Sequence, residues 1–216
     1  MKTRVIIIST VAASVLALAA VAGAAVVRGT AGNDNLTGTP SGDLIRAFAG
    51  DDIINAGDGN DIVRSGRGND TADGGEGNDW VFGGHGNDTV SGGNGNDRAW
   101  GGSGDDTVNG GEGNDRLGGN HGNDIVNGDG GNDSLYGGWG ADTVNGGEGN
   151  DRLHALAPDK LPDVLNCGGG YDVALIRFSE KDTTSTDGQC EKVRYVKYLN
   201  AEEANGENAD TDAQAE

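Results

Sequence analysis

A chain of 216 residues with 42 glycines, three phenylalanines and a formal net charge of −20 holds too little bulky apolar material for an ordinary globular core. Its acidity argues against nucleic acid and anionic membranes as partners and points to multivalent cations. A solvated, unfolded Gly/Asn/Asp linker has the same composition, so a folded reading needs regularity that a linker does not explain.

The first element is residues 1–25. Lys2 and Arg4 form a short basic head, and Val5 to Val21 is apolar apart from Ser9, Thr10 and Ser14. Ala22-Gly23-Ala24-Ala25 then supplies the small residues a signal peptidase needs, so cleavage is expected after Ala24 or Ala25. The alternative is an uncleaved membrane anchor, since the apolar run is close to spanning length. Loss of Lys2 and Arg4 would lower the formal charge of −20 by two. Export would place Cys167 and Cys190, the only cysteines, in an oxidising compartment, where a disulfide is expected.

The second element is residues 29–154, which divide into fourteen nine-residue units without insertion or deletion. Position six is Asp in every unit: Asp34, Asp43, Asp52, Asp61, Asp70, Asp79, Asp88, Asp97, Asp106, Asp115, Asp124, Asp133, Asp142 and Asp151. Position four is Gly in thirteen, position five Asn in ten, and position eight Leu, Ile or Val in twelve. A linker does not keep such a register. Gly at positions one, two and four suits positive φ and close backbone approach. Asn at position five suits a left-handed conformation. Positions seven to nine are expected to form a three-residue strand whose middle side chain points inward. Two units then make one coil of turn, strand, turn, strand, and seven coils stack about 4.8 Å apart. One small aliphatic residue per strand is a thin core, and ordering so many glycines is costly. The recurrent carboxylates identify what makes up the difference: a hard dication held by carboxylates and turn carbonyls. No His or Cys recurs at a ligand position, which argues against zinc and copper.

The third element is residues 155–200. The register breaks at ALAPDKLPDVLN, where Pro158 and Pro162 belong in loops. Two degenerate units follow, with Asp163 and Asp172 at position six and Leu165 and Ala174 at position eight. VALIRF and EKVRYVKYL are expected to be longer strands. A solenoid needs its ends covered, so this segment is expected to form a small cap stapled by Cys167–Cys190. Residues 201–216 form an acidic tail expected to be disordered.

Odd and even units face opposite sides. The odd face is a Thr/Asn ladder. The even face carries most of the repeat arginines among aromatics, notably Trp80, Phe82, Arg98, Trp100, Arg116, Tyr136 and Arg152. The plain reading is a soluble sheet; the functional one is a docking face for an anionic or sugar-like surface polymer, or for a second copy of the rod.

The pattern Gly-Gly-x-Gly-x-Asp-x-aliphatic-x resembles the repeat-in-toxin (RTX) calcium-binding nonapeptide, and GGEGNDRLG (Gly110 to Gly118) and GGEGNDRLH (Gly146 to His154) are close copies. The resemblance implies an all-β fold, a parallel β-roll solenoid. It also implies calcium between turns on one edge, held by backbone carbonyls and by Asp from turns two units apart. Asp79 would then share an ion with Asp97, and Asp88 with Asp106. Six gaps on each of two edges imply about twelve calcium ions, near the number that neutralises the chain. Unlike the family's secreted toxins and proteases, this chain is expected to carry an N-terminal signal and to leave no room for a catalytic domain. It looks more like small exported calcium-binding repeat proteins, whose typical ending appears here as CGGGYDVAL and CEKV. The expected function is a secreted, extracellular or cell-surface calcium-binding protein with a structural or surface-interaction role. A calcium-dependent adhesin or matrix protein is the alternative, and a hydrolase a remote one. His85, His121 and His154 are the only histidines, and no HExxH is present.

Overall fold

The computed structural model describes residues 4–7, 23–157, 159, 161–177 and 185–196. Most of the expected signal peptide, Pro158, and the acidic tail expected at 201–216 lie outside the described residues. Among the described residues the regular structure is strand, arranged in two parallel sheets of eleven and nine strands. From Ala25–Arg28 onward successive strands alternate between the sheets, so the chain winds as a roll. The strand Arg98–Ser103 pairs with Trp80–His85 on one side and with Arg116–His121 on the other. That register puts each residue beside its equivalent in the neighbouring coils, two units away in sequence. The all-β, parallel β-roll solenoid expected from the nine-residue unit is therefore the observed fold.

The strands are longer than the three residues expected. Most contain six, such as Trp80–His85 and Thr89–Asn94, so positions one to three of the following unit continue the ladder. These glycine-rich positions keep their pairing, for example through Glu76 N donating to Gly57 O at 2.9 Å. Only positions four to six remain as the turn.

The burial alternation along Thr89–Asn94 places positions eight and one inside. Position eight fills the core as expected: Val81, Val90, Val108, Leu117, Val126, Leu135, Val144 and Leu153 are fully buried. Position one is inward too: Ala47, Ala56, Ala155 and Cys167 join the core there, and Ser65 is buried at the same position.

The roll extends past both expected limits. Ala25–Arg28 forms a strand in register before Gly29, pairing Val27 with Ile45 and burying Val27. A further strand, Arg4–Ile7, pairs with Ala25–Arg28. At the other end the register break is absorbed in one turn. Asp142 N donates to Asp163 Oδ1, and Asp151 N to Asp172 Oδ1, each across 21 residues instead of 18. The described part of 155–200 is thus more roll, with its coils ending at Lys192–Val196 beside Val173–Arg177. These two strands are the cores of the expected VALIRF and EKVRYVKYL strands; Phe178 and residues 197–199 lie outside the described residues. The expected disulfide is present: Cys167, buried at position one, bridges Cys190 with Cα atoms 5.2 Å apart.

Candidate metal centre

Each turn presents its position-six carboxylate inward. Asp43 and all twelve later members of the series are buried, while Asp34, in the first turn, is half-buried. The two carboxylate oxygens have different roles. Oδ1 accepts the backbone N–H of the aspartate one coil earlier: Asp79 N donates to Asp97 Oδ1 at 2.7 Å, and Asp70 N to Asp88 Oδ1 at 2.8 Å. Oδ2 has no hydrogen-bond partner although it is buried. This holds for Asp52, Asp61, Asp70, Asp79, Asp88, Asp97, Asp106, Asp115, Asp124, Asp133, Asp142 and Asp151, and also for Asp172. A buried, unpaired carboxylate oxygen is costly, and a repeated one indicates a missing positive partner.

The glycine of position one lies beneath that oxygen. A Cβ added to Gly83 would sit 2.5 Å from Asp88 Oδ2 and 2.6 Å from Gly101 O of the next coil. At Gly92 the same point lies 2.6 Å from Asp97 Oδ2 and 2.8 Å from Gly110 O. Oxygens from two coils converge where a side chain would intrude. At these turns glycine at position one is favoured by space, whereas the turns of Asp52, Asp61 and Asp70 admit Ala47, Ala56 and Ser65. Positive φ belongs to positions two and four instead, as at Gly84 (121°) and Gly86 (121°).

The expected left-handed Asn at position five is also corrected. Among the described residues the positive-φ non-glycine residues are Phe48, Asn120 and Asp129, all at position two. Asn at position five builds a ladder: Asn96 N donates to Asn78 Oδ1 at 2.8 Å, and Asn114 N to Asn96 Oδ1 at 3.0 Å. Asp serves equally, as in Asn69 N to Asp51 Oδ1 at 2.9 Å. Position five bonds back to the preceding coil and position six forward to the next, so each turn is tied in both directions.

The electrostatics follow from stacking. Burial pushes the Asp88 carboxyl up to about 7; the N–H of Asp70 opposes the rise, and the carboxylates of Asp106 and Asp70 add to it. Asp52, Asp61, Asp124 and Asp133 are likewise raised to about 7, again chiefly by burial. The turns therefore favour neutralisation, by protons or by a cation.

The two ends differ. Units one and two carry Thr at position two where later units have a positive-φ residue. Thr30 N donates to Asp34 Oδ2 at 2.5 Å, and Thr39 N to Asp43 Oδ2 at 2.5 Å. In the last coil Glu191 takes the aspartate's place, its Oε2 accepting Asp172 N at 2.6 Å. Glu191 lies outside the regular repeat, and the bonds of Thr30 and Thr39 depend on backbone conformation at position two, so neither feature was legible in the repeat pattern.

The outer faces are as unlike as expected. On the nine-stranded sheet Asn109, Asn127, Asn145 and Asn166 form an amide ladder with bonds of 2.6–2.7 Å. On the other sheet Arg98 lies 5.1 Å from the Trp80 ring centroid and Arg116 lies 5.1 Å from that of Tyr136. Phe82 stacks on Trp100 at 5.1 Å, and Tyr136 on His154 at 4.2 Å. His154 is lowered to about 4 by burial and by Arg116 and Arg152, so its imidazole is neutral at pH 7. Arg152 stands beside Ser134 in the same ladder.

A comparison with curated proteins returns no match. The model for the RTX calcium-binding nonapeptide repeat (4 copies) matches at residues 28–63, 56–90, 64–99, 86–117 and 118–153. These matches span the turns that carry the buried aspartates, and the chain belongs to the RTX calcium-binding nonapeptide repeat family.

Proposed function

We propose that the protein is a secreted calcium-binding structural protein whose roll folds when calcium enters the two rows of position-six aspartates. The observation that carries this reading is the unpaired, buried Oδ2 repeated from Asp52 to Asp151. The chemistry fits a hard dication: carboxylate and carbonyl oxygens, with no recurrent nitrogen or sulfur. Asp79 with Asp97, and Asp88 with Asp106, are neighbours along their rows, and each pair would share an ion. The proposed load is about twelve ions. Calcium supplies the positive charge that stacked carboxylates lack, so its binding free energy becomes folding free energy. At low intracellular calcium the chain would stay unfolded and ready for export; outside, it would fold. The test is circular dichroism of the chain lacking the signal segment, titrated with calcium from a calcium-free start. A change from disordered to β-rich is expected, with about twelve ions bound at saturation by equilibrium dialysis. A spectrum already β-rich in chelator and unmoved by calcium overturns the reading.

A second reading concerns the Arg/aromatic face, which we infer to bind an anionic surface polymer. The aromatic ring faces are turned on one another and on guanidinium groups. That arrangement favours charge recognition over stacking on sugar rings, and arginine is well suited to sulfate and carboxylate. With calcium present, binding to sulfated dextran but not to uncharged dextran is expected. The combined replacement Trp80→Ala, Arg98→Ala and Trp100→Ala should abolish it while calcium-induced folding persists. Equal binding by the triple variant sinks this reading, and concentration-dependent dimerisation lost in that variant would assign the face to a second copy.

A further inference from the structure

We propose that Ala25 is the mature N-terminus and that its α-ammonium is the closing charge of one aspartate row. The proposal rests on the export reading above.

Ala25 stands eighteen residues before Asp43, at the register place that Asp occupies in every later coil of that row. It is buried, and its N donates to Asp43 Oδ1 at 2.5 Å. Asp43 N makes the same bond to Asp61 Oδ1 at 2.5 Å. Ala25 therefore keeps the donor of the pattern while lacking the carboxylate. Asp43 is closed on its other side by Thr39, whose N meets Oδ2 at 2.5 Å and whose Oγ1 meets Oδ1 at 3.1 Å. Unlike the later members of its row, Asp43 has no unpaired Oδ2. What it still lacks is a full positive charge. An amide at Ala25 gives a hydrogen bond; an ammonium gives the hydrogen bond and the charge.

The sequence independently permits the same bond. Ala22 and Ala24 are the small residues three and one positions before it, as a signal peptidase requires. Gly23 and Ala24 are exposed, whereas burial begins at Ala25. Hydrolysis breaks the Ala24–Ala25 C–N bond. The water oxygen becomes part of the Ala24 carboxylate, and the Ala25 nitrogen leaves as an amine that takes up a proton. A cut after Ala25 would instead remove the N–H that Asp43 accepts. The cut after Ala24 also removes the strand Arg4–Ile7 and leaves Ala25–Arg28 as the outer strand, with exposed Arg28 guarding the new edge.

Mass spectrometry of the exported protein is expected to find Ala25 first; any other start overturns the proposal. The chain beginning at Ala25 is then compared with its Nα-acetylated form in calcium. Acetylation should lower Tm by about 2–4 °C. In an Asp43→Asn background that difference should vanish. Equal Tm values, or a difference that survives Asp43→Asn, overturn the proposal. The calcium-induced change in circular dichroism, followed in every form, reports separately on whether calcium folding itself holds.

Discussion

At the residue scale the position-six aspartate does two separable jobs. Its Oδ1 is a hydrogen-bond acceptor for the preceding coil, and its Oδ2 is the unpaired, buried charge. Asparagine preserves the first and removes the second. Asp97→Asn is therefore expected to raise the calcium concentration at the folding midpoint roughly tenfold, equivalent to about 1.4 kcal/mol. Asp97→Ala also strands the N–H of Asp79, adding about 1–3 kcal/mol. Calcium-titrated fluorescence or circular dichroism of the two variants checks the order. If alanine and asparagine behave alike, the Oδ1 bond contributes nothing and the division of labour fails.

At the scale of single strands and turns, each coil touches only its neighbours, so stability is local along the rod. The aliphatic column is continuous through Leu117, Leu135 and Leu153 in one sheet and Val108, Val126 and Val144 in the other. The last coil is weaker. Lys192–Val196 shows no buried residue, and the disulfide from Cys167 to Cys190 ties the chain in just before it. Replacing both cysteines by serine should cost about 3 kcal/mol, mostly by loosening the unfolded-state loop constraint. Hydrogen exchange should then speed up at Lys192–Val196 while Trp80–His85 keeps its protection. Faster exchange spread evenly along the rod would contradict this locality.

At the scale of the whole molecule, the stacked carboxylates set the response to pH. Without calcium, Asp52, Asp88, Asp124 and Asp133 are raised to about 7, and Asp106 and Asp142 to about 6, from an ordinary value of 3.8. A folded-state pKa above the unfolded one means that the fold binds protons more tightly. The resulting stability is complete below about pH 4 and is lost as pH rises through 6 to 7. The calcium-free protein should therefore gain β-structure on acidification and lose it towards pH 8. Saturating calcium should reverse the trend, because protons compete for the same oxygens. Melting curves in calcium-free and calcium-containing buffers between pH 5 and 8 check both directions, and calcium-free stability that rises with pH would contradict the assignment.

The sequence alone determined the nine-residue unit, the inward aliphatic of position eight, the recurrent Asp and the unlike faces, because period and side-chain alternation are local properties. The pairing of Cys167 with Cys190 was also legible, since no other partner exists in the chain. Other features depend on which backbone atom meets which across eighteen residues. They include the six-residue strands, the position-one glycine kept small for Asp Oδ2, and the Asn ladder at position five. So do the ends: Ala25 and Glu191 stand where Asp would be, and only stacking reveals that they occupy the row. Tertiary structure decided these because carbonyl and N–H directions are fixed only when one coil settles on the next.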